Sequence, residues 1–228
     1  MRAEPLDLAD LGSVAAFAAA WTGPLHILVN NAGIMALPEL ERAREGHELQ
    51  FATNFLGHFA LTTGLYPALA SAGGARVVSL SSNGHMFSPV VFDDLDYRDR
   101  PYDPWSAYGQ SKTADVLLAV EATRRWADDA ILANALNPGA IATNLQQHTG
   151  GLRTPVERRK TVQQGAATSV LLAALPLLAS VGGRYFEDCT EAEVLQGPPE
   201  MFGGGVAPWA LDPEAARRLW EVAEKLVG

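Results

Sequence analysis

Three short apolar runs constrain this chain more than any other feature: HILVN at 26–30, RVVSLS at 76–81 and AILANALN at 130–137. Each is aliphatic or β-branched and nearly continuous. That is the pattern of parallel strands covered on both faces, not the alternation of a sheet with one wet side. Parallel strands cannot be joined by a tight turn, so each pair requires a long crossover, usually helical. The intervals supply helical patterns. In DLGSVAAFAAAW (10–21), Val14, Phe17, Ala18 and Trp21 fall on one apolar stripe. NFLGHFALTTGLYPALA (54–70) and SAYGQSKTADVLLAVEATRRWA (106–127) are longer patterns of the same kind. A final helix has Asp212 as N-cap and Pro213 in its first turn. Leu219, Val222 and Leu226 form its apolar face, Glu221 and Lys225 sit one turn apart, and Gly228 closes it. GRYFE at 183–187 reads as a weaker strand. Strand and helix in alternation imply right-handed crossovers and a doubly wound parallel sheet, a three-layer α/β/α arrangement. No linker, repeat or low-complexity tract divides the 228 residues, so they read as one domain, 1–228.

Composition narrows the function classes. With 48% hydrophobic residues the chain can build one sizeable core, and its net charge of -9 disfavours nucleic acid and anionic membranes as partners. One cysteine, Cys189, excludes an internal disulfide framework and fits a reducing compartment. The five histidines lack metal-ligand spacing, so no metal site is expected. The acid-rich FDDLDYRDRPYD (92–103) lacks the glycine and distal glutamate of a calcium loop and reads as a solvated insertion. MRAEPLDLAD has no apolar core and is not a signal peptide. The most apolar run, SVLLAALPLLASVGG, is interrupted by Pro176 and is shorter than the roughly 20 residues of a membrane span. The expectation is a cytoplasmic protein with no membrane partner.

Open α/β sheets bind ligands beyond the carboxyl ends of their strands. The three clear strands are followed by NNAG (30–33), SSNGH (81–85) and NPGAIATN (137–144), all small, polar or glycine-containing. Any one of these is readable as a tight turn, but three along one sheet edge suggest backbone that approaches a ligand closely. Within WSAYGQSK (105–112), Tyr108 and Lys112 lie one helical turn apart and share a face. A free phenol is too weak a base at neutral pH, and a nearby ammonium favours its ionised form.

HILVNNAG, SLSS, YGQSK and NPGAIAT, in this order and spread from about residue 4 to the C-terminus, resemble the short-chain dehydrogenase/reductase family. YxxxK alone is a weak pattern, whereas the ordered set is specific. NFLGHFALTTGLYPAL and the 26 positions from Ser82 to Tyr108 are similar to the branch of retinol-dehydrogenase-like and WW-domain-oxidoreductase-like enzymes. The resemblance implies a Rossmann-like fold and an NAD(P)-dependent oxidoreductase that interconverts an alcohol and a carbonyl. Its catalytic set falls on Asn54, Ser82, Tyr108 and Lys112. Tyr108 would be the general acid/base, and Lys112 would steady the phenolate and hold the cofactor ribose. Ser82 would bind the substrate oxygen, with Ser81 as the alternative. Asn54 would anchor a water linking Lys112 to solvent. Asn31, Ala32 and Gly33 would lie along the adenosine half of the cofactor, Asp7 would contact adenine, and Pro138, Gly139, Ile141 and Thr143 would approach the carboxamide. His85 is placed to line the substrate pocket, although a loop histidine without a catalytic task is the commoner occupant of such a position. Substrate identity would reside in residues 146–160 and around 195–205, and family members often assemble as dimers or tetramers.

One part of the family pattern is missing. A GxxxGxG turn between a strand and a helix normally receives the cofactor pyrophosphate. Neither SAGGARVV nor MFGGGVAPWALDPEAAR supplies it, and MRAEPLDLADL matches the third strand of the fold. The expectation is an N-terminally incomplete fold without the first two strands and the phosphate loop. The choice between NAD and NADP, normally made after the second strand, is therefore unreadable. A non-catalytic remnant that binds a small ligand or a partner is the alternative.

Overall fold

The computed structural model describes residues 3–198 and 203–228. Five strands form one sheet in the order β1 (Ile27–Asn30), β2 (Ala75–Leu80), β3 (Ile131–Asn137), β4 (Tyr185–Glu187) and β5 (Thr190–Glu191). The first four are parallel, with Val29 beside Val78 and Val78 beside Asn134, and β5 returns antiparallel to β4. The helices are α1 (Leu11–Ala20), α2 (Leu49–Phe51), α3 (Gly57–Gly64), α4 (Tyr66–Ala70), α5 (Pro104–Arg125), α6 (Val162–Ala174) and α7 (Pro213–Val227).

Alternation along the strands sorts the core onto two faces. Val77, Ala133, Ala135 and Tyr185 point to the side covered by α3, α5 and α7, whereas Val78, Leu136 and Phe186 meet Leu172 of α6 on the other. On the first side an aromatic column joins Phe51, Phe55, Phe59, Trp220 and Trp126 through successive ring contacts. Each fully buried large side chain there contributes roughly 1.5–3 kcal/mol of transfer free energy. The result is the Rossmann-like, parallel-dominated α/β architecture that the apolar runs require.

Several local expectations give way to better partners. Trp21 leaves the α1 stripe and is 39% exposed, because the helix ends at Ala20 and the chain turns out at its cap. The long pattern after residue 54 divides at Leu65, where Pro67 cannot continue the ladder of the preceding turn. Glu221 pairs with Arg217, one turn before it, in place of Lys225. Residues 3–7 form no strand, since no neighbouring chain among the described residues offers them a ladder. The acidic insertion is tied down by its own carboxylates. Asp94 accepts from the backbone of Arg98, Asp99 and Arg100, and Asp96 accepts from the backbone N–H of Glu48. No helix among the described residues is long and apolar enough to cross a membrane.

Candidate active site

The carboxyl ends of β1, β2 and β3 lie side by side, and α5 passes beneath them against β2 and β3. Helix α5 starts cleanly because Asp103 accepts from the Ser106 N–H and Pro104 occupies its first turn. Its inward face carries Tyr108, Ser111, Lys112 and Asp115, all buried. Lys112 Nζ donates to the Leu80 carbonyl at the end of β2 (2.8 Å) and to Asp115 Oδ2 (2.8 Å), and stands 5.9 Å from the centre of the Tyr108 ring. Burial opposes the lysine charge, but Asp115 and Tyr108 outweigh it and hold the ammonium above its ordinary range. Burial pushes the Asp115 carboxyl up to about 7 despite the pull of Lys112. Its second oxygen, Oδ1, is buried without a hydrogen bond.

The two serines after β2 are chemically different. Ser81 is buried and donates its hydroxyl proton to the Lys112 carbonyl (2.7 Å), which fastens the strand end to α5. Ser82 is half-buried, and its Oγ accepts from the Gly84 N–H (3.0 Å), so its proton stays available for a ligand oxygen. The turn that follows, Asn83–Phe87, presses on Tyr108. A Cβ at Gly84 would lie 2.5 Å from Tyr108 Cε1 and 3.4 Å from Ser82 Oγ. The Gly84 turn therefore packs directly on the Tyr108 ring, with Ser82 Oγ beside the same contact.

A second convergence joins Asn54 and Lys112. Asn54 sits in a π-helical turn, Ala52–Leu56, between α2 and α3, the kind of ladder irregularity often found at functional sites. Its side chain clamps the loop after β1, accepting from the Ile34 N–H (2.8 Å) and donating to the Ile34 carbonyl (3.0 Å) and to Ser111 Oγ (2.9 Å). Its backbone carbonyl accepts from His58 Nδ1 (2.8 Å). Burial, reinforced by Lys112, pushes the His58 ring down to about 4, so it is neutral at ordinary pH. A Cβ at Gly33 would lie 3.1 Å from Asn54 Oδ1 and 3.7 Å from Lys112 Nζ. That cradle, which only glycine leaves open, fits the close backbone approach of a nucleotide ribose.

The remaining expected residues are distributed along the same edge. Asn31, Ala32 and Gly33 are exposed after β1. Asp7 is exposed before α1 and accepts from the Ala9 N–H. After β3, Pro138 leads into Gly139, at φ 86°, whose N–H donates to Asn137 Oδ1 (3.1 Å). Ile141 turns toward Gly165 of α6, and Thr143 caps the short helix at Asn144–Gln146. His85 is fully buried: its Nδ1 donates to the Ser82 carbonyl (2.7 Å) and its Nε2 accepts from the Ala207 N–H (3.0 Å). Burial pushes it down to about 4. With both ring nitrogens spent, it supports the Ser82 turn and has no atom to offer a substrate. Of the second expected substrate segment, residues 199–202 lie outside the described residues. No GxxxGxG turn occurs among the described residues, so the fit to a dinucleotide rests on its nicotinamide-ribose half. Asp115 and His58 escaped the sequence reading. Their spacing, three after Lys112 and four after Asn54, was the available signal.

Comparison with known proteins bears on the family and the fold. A family model described as enoyl-(acyl carrier protein) reductase matches residues 4–185. A Streptomyces antibioticus protein named "probable oxidoreductase" is 58% identical over 96% of this chain and 77% of its own length. Human retinol dehydrogenase 14 is 36% identical over 98% of this chain and 66% of its own. Among solved structures, an uncharacterised protein from Mycobacterium paratuberculosis superposes with a TM-score of 0.73 at 34% identity, covering 98% of this chain and 74% of that one. The NADPH-bound carbonyl reductase from chicken fatty liver, at 23% identity and TM-score 0.59 over 81% of this chain and 73% of its own, shares the fold.

Proposed function

Because the chain belongs to the short-chain dehydrogenase/reductase family, we propose that it interconverts an alcohol and a carbonyl with NAD(P), using Tyr108 as general acid/base. The observation that carries the reading is that the Ser82–Gly84 turn packs on the Tyr108 ring, with the Lys112 ammonium 5.9 Å from the ring centre. When bound, the cofactor supplies or accepts the hydride. The chain's own residues manage the oxygen and its proton. In the oxidation direction Tyr108 takes the proton of the alcohol, and in reduction it returns one to the carbonyl oxygen. Ser82 donates its free proton to that oxygen and stabilises the charge that develops there. Lys112, fixed by Leu80 and Asp115, retains a third N–H to steady the phenolate and to hold a ribose hydroxyl near Gly33. Asn54 keeps the loop after β1 at the distance this requires. Asn31 and Ala32 would line the adenosine side with Asp7 beyond them, and Pro138, Gly139, Ile141 and Thr143 the carboxamide side.

Relatives named as retinol dehydrogenase and polyprenol dehydrogenase point to apolar alcohols as the first substrates to assay. An aromatic rim beside Tyr108 supports that choice: Phe87, 58% exposed, meets Trp105 at 5.7 Å, and Trp105 meets Tyr108 at 6.4 Å. The test is Tyr108→Phe, which removes one hydroxyl. Turnover is expected to fall by about 10²–10⁴-fold with the melting temperature nearly unchanged. Retention of full turnover would overturn the assignment.

A further inference from the structure

We propose that Asp115 is a positioning residue: its carboxylate fixes the Lys112 ammonium, and its charge sets the pH at which Tyr108 can act as base. The inference rests on the reading of Tyr108 and Lys112 given above and adds a residue that the family pattern does not include.

The geometry is that of a dedicated partner. Lys112 and Asp115 lie at i and i+3 on the inward face of α5, with side chains 6% and 1% exposed, and are joined at 2.8 Å. With the Leu80 carbonyl also accepting at 2.8 Å, two of the three ammonium protons are committed in fixed directions. Without Asp115, four rotatable bonds would leave the ammonium poorly placed.

The carboxylate is more than a clamp. A clamp needs only an acceptor, which a neutral side chain could provide at less desolvation cost. This position instead holds a charge whose second oxygen has no partner in the buried interior. The other titratable groups facing this cluster are Tyr108, on the same helix, His58 of α3, held neutral by burial, and Tyr185 of β4, whose phenol burial pushes well above its ordinary range. With His58 and Tyr185 neutral, the charges beside Tyr108 are those of Lys112 and Asp115. A negative charge beside Lys112 partly cancels the field by which the ammonium favours a phenolate. Burial brings the carboxyl itself to about 7. The cancellation therefore sets in near neutral pH, and Lys112 and Asp115 act as one coupled pair beside Tyr108.

Asp115→Asn keeps an acceptor for Lys112 and removes the charge. Two readouts separate this role from scaffolding. The first needs no cofactor: ultraviolet titration of tyrosinate in the free chain, following the ionisation that Tyr108→Phe removes. In Asp115→Asn it is expected about 1 pH unit lower. The second is the acid limb of kcat/KM for alcohol oxidation, which moves down with it while KM for NAD(P) stays within about twofold. Asp115→Ser removes the charge without added bulk and moves both the same way. If the amide distorts the fold, the serine variant decides. A phenol ionisation at the parent pH in a folded neutral variant overturns the proposal. Absence of dehydrogenase turnover in the parent overturns the functional reading instead, and the tyrosinate titration still tests Asp115.

Discussion

Gly84→Ala is the most informative single methyl group to add to this protein. The new Cβ would stand 2.5 Å from Tyr108 Cε1 and 2.8 Å from Cδ1, where ordinary contact begins near 3.4 Å. One side must therefore yield by about 0.9 Å. The turn cannot retreat easily. His85 pins it through both ring nitrogens, and Thr113 Oγ1 donates to the carbonyls of His85 and Ser88. Gly109 of α5 backs the same turn so closely that a Cβ there would meet the Gly84 carbonyl at 2.7 Å. Tyr108 cannot translate, because α5 is buried without a break from Ala107 to Ala119. What remains is a tilt of the whole Tyr108 side chain about χ1, which displaces its hydroxyl. A misplacement near 1 Å costs on the order of 10²-fold in rate, and the overpacking costs about 1–3 kcal/mol in stability. The assay is kcat and KM for alcohol and cofactor, with chemical denaturation alongside. A kcat within about threefold of the parent would show that the turn does not set the Tyr108 hydroxyl and would refute the reasoning.

Two further expectations test the neighbouring groups. Ser82→Ala should lower kcat by roughly 10²–10³-fold, the usual loss for a donor to a developing oxyanion. Ser81→Ala should chiefly cost about 1 kcal/mol of stability through its bond to the Lys112 carbonyl; reversed kinetic effects would exchange the two serines' roles. His85 links stability to pH. Its ring titrates at about 4 in the folded chain against 6.5 when unfolded, so it contributes about 3 kcal/mol above pH 6.5. That contribution is lost as pH falls from 6.5 to 4. His58, also lowered to about 4, adds to this dependence, and Asp115, raised to about 7, opposes it across the same window, so the parent's own curve does not isolate His85. The comparison to make is parent against His85→Gln by denaturant titration. The stability gap should close by about 3 kcal/mol between pH 7 and pH 4, and a gap independent of pH would refute the linkage.

The strands were legible where burial is two-sided. RVVSLS and AILANALN carry their apolar pattern because both sheet faces are covered at β2 and β3, whereas HILVN carries it at the edge strand β1 although Ile27 is 44% and Val29 42% exposed. β5 carries no such pattern. It has two exposed residues, and its turn through Asp188 and Cys189 adopts positive φ without glycine or asparagine. Helix α6 was passed over because SVLLAALPLLASVGG drew attention to hydrophobicity alone. The start signal lay just upstream, in Thr161 and Gln164, which form a capping box. The divided helix at Leu65 had its sign in Pro67, whereas nothing in FATNFL announces a π turn.

The site was legible to the extent that chemistry constrains residue type. Ser82, Tyr108 and Lys112 are recognisable through the family resemblance, and the proposed proton shuttle needs a hydroxyl, a phenol and a cation. The groups that hold them were not, because many residue types can hold something in place. Asp115 could have been aspartate for a surface pair, and only its burial against Lys112 gives the charge a consequence. His85 stood three residues from Ser82, close enough in sequence to suggest a substrate contact. Its two backbone bonds give it the opposite task, fixing the turn whose Gly84 touches Tyr108. Order at the reacting atoms is thus enforced from residues that never reach the substrate. The Gly84→Ala and Asp115→Asn variants should consequently alter the reaction without altering any group that performs it.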